Sequence, residues 1–227
     1  EKKMKIRSIL LTAVLAVALI GTTAQAQINL TVDTSDNWIS WVNVGLSSNP
    51  PGVYDWGQGW GLADARTTLS GSNQIILQTN VNGSDDNPTD PYWAPGNLTM
   101  EMNSYTETPG VASGTLVNFD FFVTGNELAS QGYETIGFIK VLDPNAGWAT
   151  TQVETYDLAT LGAGNVSLTT ASGGVVVQAG FAIIGANDFT GSPTADLSVD
   201  VIPEPATIGL MGIAGAGLFA FRRRFMA

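Results

Sequence analysis

The segment Val117-Asn118-Phe119-Asp120-Phe121-Phe122-Val123 decides the fold class. Apolar side chains fall at 117, 119, 121 and 123, with polar ones at 118 and 120. Successive side chains of an extended strand point to opposite faces, so this spacing predicts a strand with one face in a core and one in water. A helix would need apolar residues three and four apart instead. The same alternation recurs in Ile28-Asn29-Leu30-Thr31-Val32, in Leu98, Met100 and Met102, in Val166 and Leu168, and in Leu197, Val199 and Val201. Residues 75–77, 135–142 and 175–184 are apolar on both faces and read as central strands. Turn clusters separate these runs: Ser70-Gly71-Ser72-Asn73, Asp143-Pro144-Asn145, Gly162-Ala163-Gly164-Asn165 and Ser172-Gly173-Gly174. About nine to eleven short strands, no helix of consequence and no internal repeat predict an all-β fold, an antiparallel two-sheet β-sandwich of jelly-roll type.

Composition excludes several chemistries. The chain has 227 residues, with no His and no Cys. A Ser-His-Asp triad, a Cys nucleophile and a zinc site of His or Cys are therefore ruled out. The charge is unevenly distributed. Lys2, Lys3, Lys5, Arg7, Arg222, Arg223 and Arg224 sit at the two ends, leaving only Arg66 and Lys140 against 18 acids in residues 27–202, a formal charge of −16. Such a body repels nucleic acid, stays soluble and could attract cations.

Both ends read as addresses. The four basic residues precede an apolar run over residues 9–20 and then Ala24-Gln25-Ala26. A basic start, a short apolar stretch and an Ala-x-Ala site predict a secretory signal peptide over residues 1–26, cleaved after Ala26 by signal peptidase. The apolar run is too short for a membrane anchor, since ~30 Å of hydrocarbon needs about 20 residues. At the other end, Pro203-Glu204-Pro205 precedes an apolar, Gly-rich segment over 206–221 and then Arg222-Arg223-Arg224. The arginines would stay cytoplasmic and hold the helix transiently in the membrane, with the body outside.

These three parts in order resemble the PEP-CTERM sorting signal of Gram-negative bacteria. The resemblance implies recognition by exosortase, a membrane-embedded protease, and processing near Pro203, Glu204 and Pro205. It also implies delivery to the cell surface or the exopolysaccharide matrix. The chain thus divides into residues 1–26, a body over 27–202 and a sorting signal over 203–227. Within the body, Gly59-Trp60-Gly61-Leu62-Ala63-Asp64, Met100-Glu101-Met102-Asn103-Ser104-Tyr105 and Gly137-Phe138-Ile139-Lys140-Val141-Leu142-Asp143 resemble a jelly-roll domain of secreted proteins that is similar to carbohydrate-binding modules. That resemblance implies contact with extracellular polysaccharide.

Sugar rings carry apolar C–H faces that stack on aromatic side chains. Trp38, Trp41, Tyr54, Trp56 and Trp60 cluster early, with Tyr92 and Trp93 later. Three residues separate Trp38 from Trp41, so on one strand only one of them can face outward. Trp60 reads as core. Trp56 and Trp93 lie in turn-rich sequence and are the leading candidates for a glycan platform, with Tyr54 and Tyr92 beside them. The alternative reading is that these rings supply core. The acidic loop within residues 82–96 offers Asp85, Asp86 and Asp90 as candidate ligands for a structural calcium; no other cofactor is expected. Lys140, between Ile139 and Val141, is expected to point to solvent. No motif marks a nucleophile, and an enzyme is not expected. Three functions remain: a matrix protein that binds glycan, a purely structural or adhesive surface protein, and, less favoured, a glycoside hydrolase or lyase working through two carboxylates.

Overall fold

A computed structural model describes residues 25–46, 53–71, 73–79, 89–94, 96–187 and 196–200. Most of the signal segment with Ala24, the loop positions Asp85 and Asp86, and the sorting segment with Pro203, Glu204, Pro205 and Arg222 to Arg224 lie outside the described residues. Twelve strands are present among the described residues: β1 (Gln27–Thr31), β2 (Ile39–Leu46), β3 (Val53–Trp60), β4 (Thr67–Ser70), β5 (Gln74–Gln78), β6 (Leu98–Val111), β7 (Leu116–Asn126), β8 (Glu134–Asp143), β9 (Ala149–Asp157), β10 (Gly162–Thr169), β11 (Val175–Ala186) and β12 (Asp196–Asp200). The only helices among those residues are short 3-10 turns at Pro91–Trp93, Leu128–Gln131 and Pro144–Ala146.

The strands form two six-stranded sheets. One runs β10-β7-β12-β5-β4, with β1 also on β7; the other runs β3-β2-β6-β11-β8-β9. From β5 onward the pairing is nested: β5 with β12, β6 with β11, β7 with β10, and β8 with β9. The chain therefore goes out and back as one long antiparallel ribbon, rolled so that successive strands from β5 alternate between sheets except at the β8–β9 hairpin, where the ribbon turns back. This is the eight-stranded winding of a jelly roll. Strands β2 and β3 widen the second sheet beyond it. β1 departs from the antiparallel expectation, because it lies parallel to β7. β10 covers β7 from Leu116 to Val123, so β1 and β12 share its other edge, β1 at Leu116–Asp120 and β12 at residues 122–126.

Burial follows the period-two pattern. Val117, Phe119, Phe121 and Val123 of β7 are all essentially inaccessible, as are Ile75 and Leu77 of β5 and Leu197 and Val199 of β12. From the other sheet, Phe181 meets Phe119 at 5.2 Å and Phe121 at 5.3 Å between ring centroids, and Trp38 stacks on Phe181. Val175 to Ile183 are buried throughout, as two apolar faces require. The strands missing from the sequence pattern are β2, β3, β4 and β9; of these β2 is internal, paired with β3 and β6, and the other three are edges. β3 and β9 are exposed at most positions, so no core imposes an alternation on them.

Phe121 sits in a notch made by two glycines. A Cβ on Gly164, its partner on β10, would stand 2.3 Å from the ring, and one on Gly137, across the sandwich on β8, would stand 2.8 Å from it. Both glycines are needed for close approach and not for any special backbone angle. Gly164→Ala should cost about 2 kcal/mol by overpacking. In a Phe121→Leu background that penalty should shrink, because the methyl then has room. Urea unfolding of the four proteins of this double-mutant cycle measures the difference; strictly additive losses would show that the notch does not exist.

Candidate functional site

The alternation that fills the core also lays one row of side chains on the outer face of the second sheet. Trp41 and Asn43 come from β2, Glu101, Asn103, Tyr105 and Glu107 from β6, Gln178 from β11, and Lys140 and Leu142 from β8. Registered pairs bring them side by side: Trp41 with Asn103, Asn43 with Glu101, and Gln178 with both Glu107 and Lys140. Between β6 and β8, the middle of β11 presents only Gly180 and Ala182 to this face. A Cβ on Gly180 would stand 2.2 Å from the Ser104 carbonyl oxygen. The sheet surface is low here and is covered by the Tyr105 and Phe138 rings, and beside them a groove of about 580 Å³ opens over Asn103, Lys140 and Gln178.

Two tryptophans stand at its rim. Trp41 is 40% exposed, and its ring lies along the glycines of β3: Gly59 would place a Cβ 3.8 Å from Cε3, and Gly57 one 3.0 Å from Nε1. Its Nε1 donates to Asn43 Oδ1 at 2.8 Å, which holds the ring down on the sheet. Trp148 is 57% exposed, on the hairpin between β8 and β9. It adopts φ of +66°, directly after Gly147 at +68°. A bulky side chain in the left-handed region costs about 1 kcal/mol and is an outlier of the kind found at functional positions. Its backbone N–H is tied to the Asp143 carbonyl at 3.0 Å.

The floor is polar and cross-linked. Lys140 Nζ donates to Glu101 Oε1 at 3.1 Å and to Asn103 Oδ1 at 2.8 Å, and lies 4.4 Å from the centre of the Phe138 ring. Lys140 is therefore on the solvent side of β8, as expected, yet its side chain is only 19% exposed. Asn43 Nδ2 donates to the second carboxylate oxygen of Glu101 at 3.1 Å, and Gln178 Nε2 donates to Glu107 at 2.8 Å. Burial by itself would push the Glu101 carboxyl up, but the Lys140 ammonium and the bonds from Asn43, Lys140 and Asn103 outweigh it and hold Glu101 below the usual range. Burial raises the Tyr105 phenol, with the Glu107 charge adding to it.

The aromatic candidates read from the sequence divide between two places. Trp56 and Trp93 meet edge to face at 6.3 Å, and Tyr92 meets Trp93 at 5.1 Å. With Trp60 they pack on Val42, Val44, Ala65, Leu98, Met100 and Met102, a second apolar cluster beneath the β2–β3 extension. Tyr92 Oη accepts from Trp56 Nε1 at 2.8 Å and donates to Asp55 Oδ2 at 2.5 Å. Trp56, Tyr92 and Trp93 are thus half-buried packing, not the free rings that turn-rich sequence suggested. Trp60, read as core, is likewise only half-buried against this cluster. Tyr54 is different: it is 63% exposed and lines a shallower groove of about 380 Å³ with Asn43, Thr99 and Glu101, adjoining the first. Trp38 is buried and Trp41 faces outward, as their spacing required. Asp90 accepts the Tyr92 backbone N–H at 2.9 Å and caps the turn that carries Trp93. Trp148 stands outside the aromatic cluster of the sequence, and its one sequence signal is its place directly after the turn Asp143-Pro144-Asn145-Ala146-Gly147.

The Glu101 environment has a pH consequence. A carboxyl whose folded pKa lies below its unfolded one stabilises the fold above the unfolded value, and that stabilisation is lost as pH falls through the folded one. The melting temperature of the wild type should therefore exceed that of Glu101→Gln at neutral pH. The gap should close as the pH falls below the ordinary carboxylate range. Thermal melts across pH measure it; a gap that widens in acid would refute the assignment.

No curated protein and no solved structure is significantly similar to this chain. One family model matches, over residues 201–224, a segment that lies beyond the described sandwich and starts two residues before Pro203. At its C-terminal end the chain carries a PEP-CTERM protein-sorting motif.

Proposed function

We propose that this is an exported protein of a Gram-negative bacterium, sorted by exosortase to the cell surface or exopolysaccharide matrix, whose sandwich binds a polysaccharide along the outer face of its second sheet. The sorting half rests on the motif at residues 201–224. The binding half rests on one observation, that two exposed tryptophans flank a groove floored by amides, a tyrosine and Lys140, whose ion-pair partner Glu101 lines the adjoining groove. Stacking faces at the rim and hydrogen-bonding groups below suit a pyranose ring, with its apolar faces and hydroxyl edge. The left-handed backbone at Trp148 supports this reading, because packing alone gives no reason to hold an exposed ring there.

Binding fits better than catalysis. Hydrolysis of a glycosidic bond needs a carboxyl held protonated to act as acid. Glu101 is instead held ionised by Lys140 and Asn43.

Truncating one desolvated aromatic anchor commonly costs ~2 kcal/mol or more of binding energy. Trp41→Ala and Trp148→Gly should each weaken polysaccharide binding by at least about thirtyfold, measured by affinity electrophoresis of the purified full chain. Trp148→Gly also releases the backbone strain, so its melting temperature should stay level or rise. Unchanged affinity in both variants would end the groove reading. In the producing cell, Glu204→Ala should leave a membrane-bound precursor that still carries Arg222, Arg223 and Arg224. Normal processing of that variant would contradict sorting through Pro203-Glu204-Pro205.

A further inference from the structure

We infer that the groove selects an uncharged polysaccharide and refuses acidic ones, and that Glu101 enforces the choice by occupying Lys140, the one cation on this face among the described residues. The inference rests on the glycan-binding reading above. It starts from the scarcity of positive charge: between residues 27 and 202 only Arg66 and Lys140 are basic. Arg66 lies in the turn before β4, in the other sheet, and does not line the groove. Lys140 does, and an uncompensated ammonium there would be the natural seat for a uronate carboxylate or a sulfate ester.

That seat is taken. Lys140 Nζ is bonded to Glu101 Oε1 and Asn103 Oδ1, and a third side of the ammonium faces the Phe138 ring. Glu101 is itself fixed from behind by Asn43, whose Oδ1 in turn anchors Trp41. The ion pair, the amide and the rim tryptophan thus form one connected array. An acidic sugar entering it would have to displace a carboxylate already held at 3.1 Å and would meet Glu107 in the same groove. It would also approach a body of net charge −16, whose field repels anions. A neutral chain meets none of these costs. It finds two stacking rims in the groove and a further exposed ring, Tyr54, beside the adjoining one.

The test titrates the purified full chain with neutral polymers (a mixed-linkage β-glucan, a xylan, a galactomannan) and with uronate polymers (polygalacturonate, alginate). The wild type should bind at least one neutral polymer, with an affinity that is flat from low to high salt, and no uronate polymer. Glu101→Gln, which frees the ammonium, should gain binding to a uronate polymer by about tenfold at low salt, and the gain should vanish at high salt as screening sets in. Wild-type binding to a uronate polymer as tight as to any neutral one would overturn the inference while leaving the glycan reading intact. So would a steep salt dependence of the neutral complex, a measurement that does not depend on the variant folding. Folded Glu101→Gln that still refuses uronates would also overturn it, since Glu101 would not then be the discriminator. If the wild type binds no polymer of either class, the glycan reading itself fails, and this inference with it.

Discussion

Everything in this sandwich depends on how closely two sheets can approach, and Phe121 sets that distance. Its ring lies between Gly164 on the neighbouring strand and Gly137 on the opposite sheet, both within what would be a Cβ clash. Phe119 and Phe181 then complete a cluster of rings at 5.2 to 5.3 Å, a spacing at which edge-to-face and tilted contacts are favourable. A side chain on either glycine would force the ring out or the sheets apart. The buried aliphatic residues of β5, β7, β8, β10, β11 and β12 fill the space on either side of that cluster.

The outer face obeys the same economy of small residues. Gly57 and Gly59 of β3 leave a bare strip on which Trp41 lies, and Gly180 with Ala182 keeps the centre of β11 low. A ring laid over cross-strand glycine covers backbone that would otherwise be open, while its second face stays free. The glycines that bring the sheets together and those that shape the groove therefore act by the same steric rule. They act on opposite sides of the second sheet.

The polar floor follows from that shape. Because β11 offers no bulk, Lys140 of β8 reaches across it to Glu101 and Asn103 of β6 and bridges two strands that are not neighbours. The pair is partly covered, so it is worth more than an exposed surface pair while leaving little unpaired charge buried. Interior hydroxyls show the same completeness. Ser40, Ser104 and Thr67 bond to one another at 3.1 and 2.7 Å within the core side of the sandwich.

How much was legible beforehand differs by element. β7 could be read directly, since Val117, Phe119, Phe121 and Val123 carry the period of a half-buried strand and nothing else explains it. β3 and β9 could not, because an edge strand that buries only a few side chains, Trp56 and Trp60 on β3 and Tyr156 on β9, shows no sustained period. The tryptophans show the limit for the site. Local sequence says that Trp38 and Trp41 face opposite ways, yet it cannot say that Trp56 and Trp93 meet. Their contact depends on bringing β3 and the 3-10 turn at residues 91–93 over the same apolar cluster, 36 positions apart for the Trp56–Tyr92 bond. Trp148 depends on a left-handed backbone that its composition disfavours.

The sequence by itself determined the strand period, the acidic body, the absence of His and Cys chemistry and the sorting motif at the end, because each is a property of neighbouring residues or of their count. The tertiary structure alone decided which aromatics are packing and which are rim, and that Lys140 answers Glu101, 39 positions away. Those outcomes come from strand pairing between distant segments, and no local pattern encodes the partner of a strand.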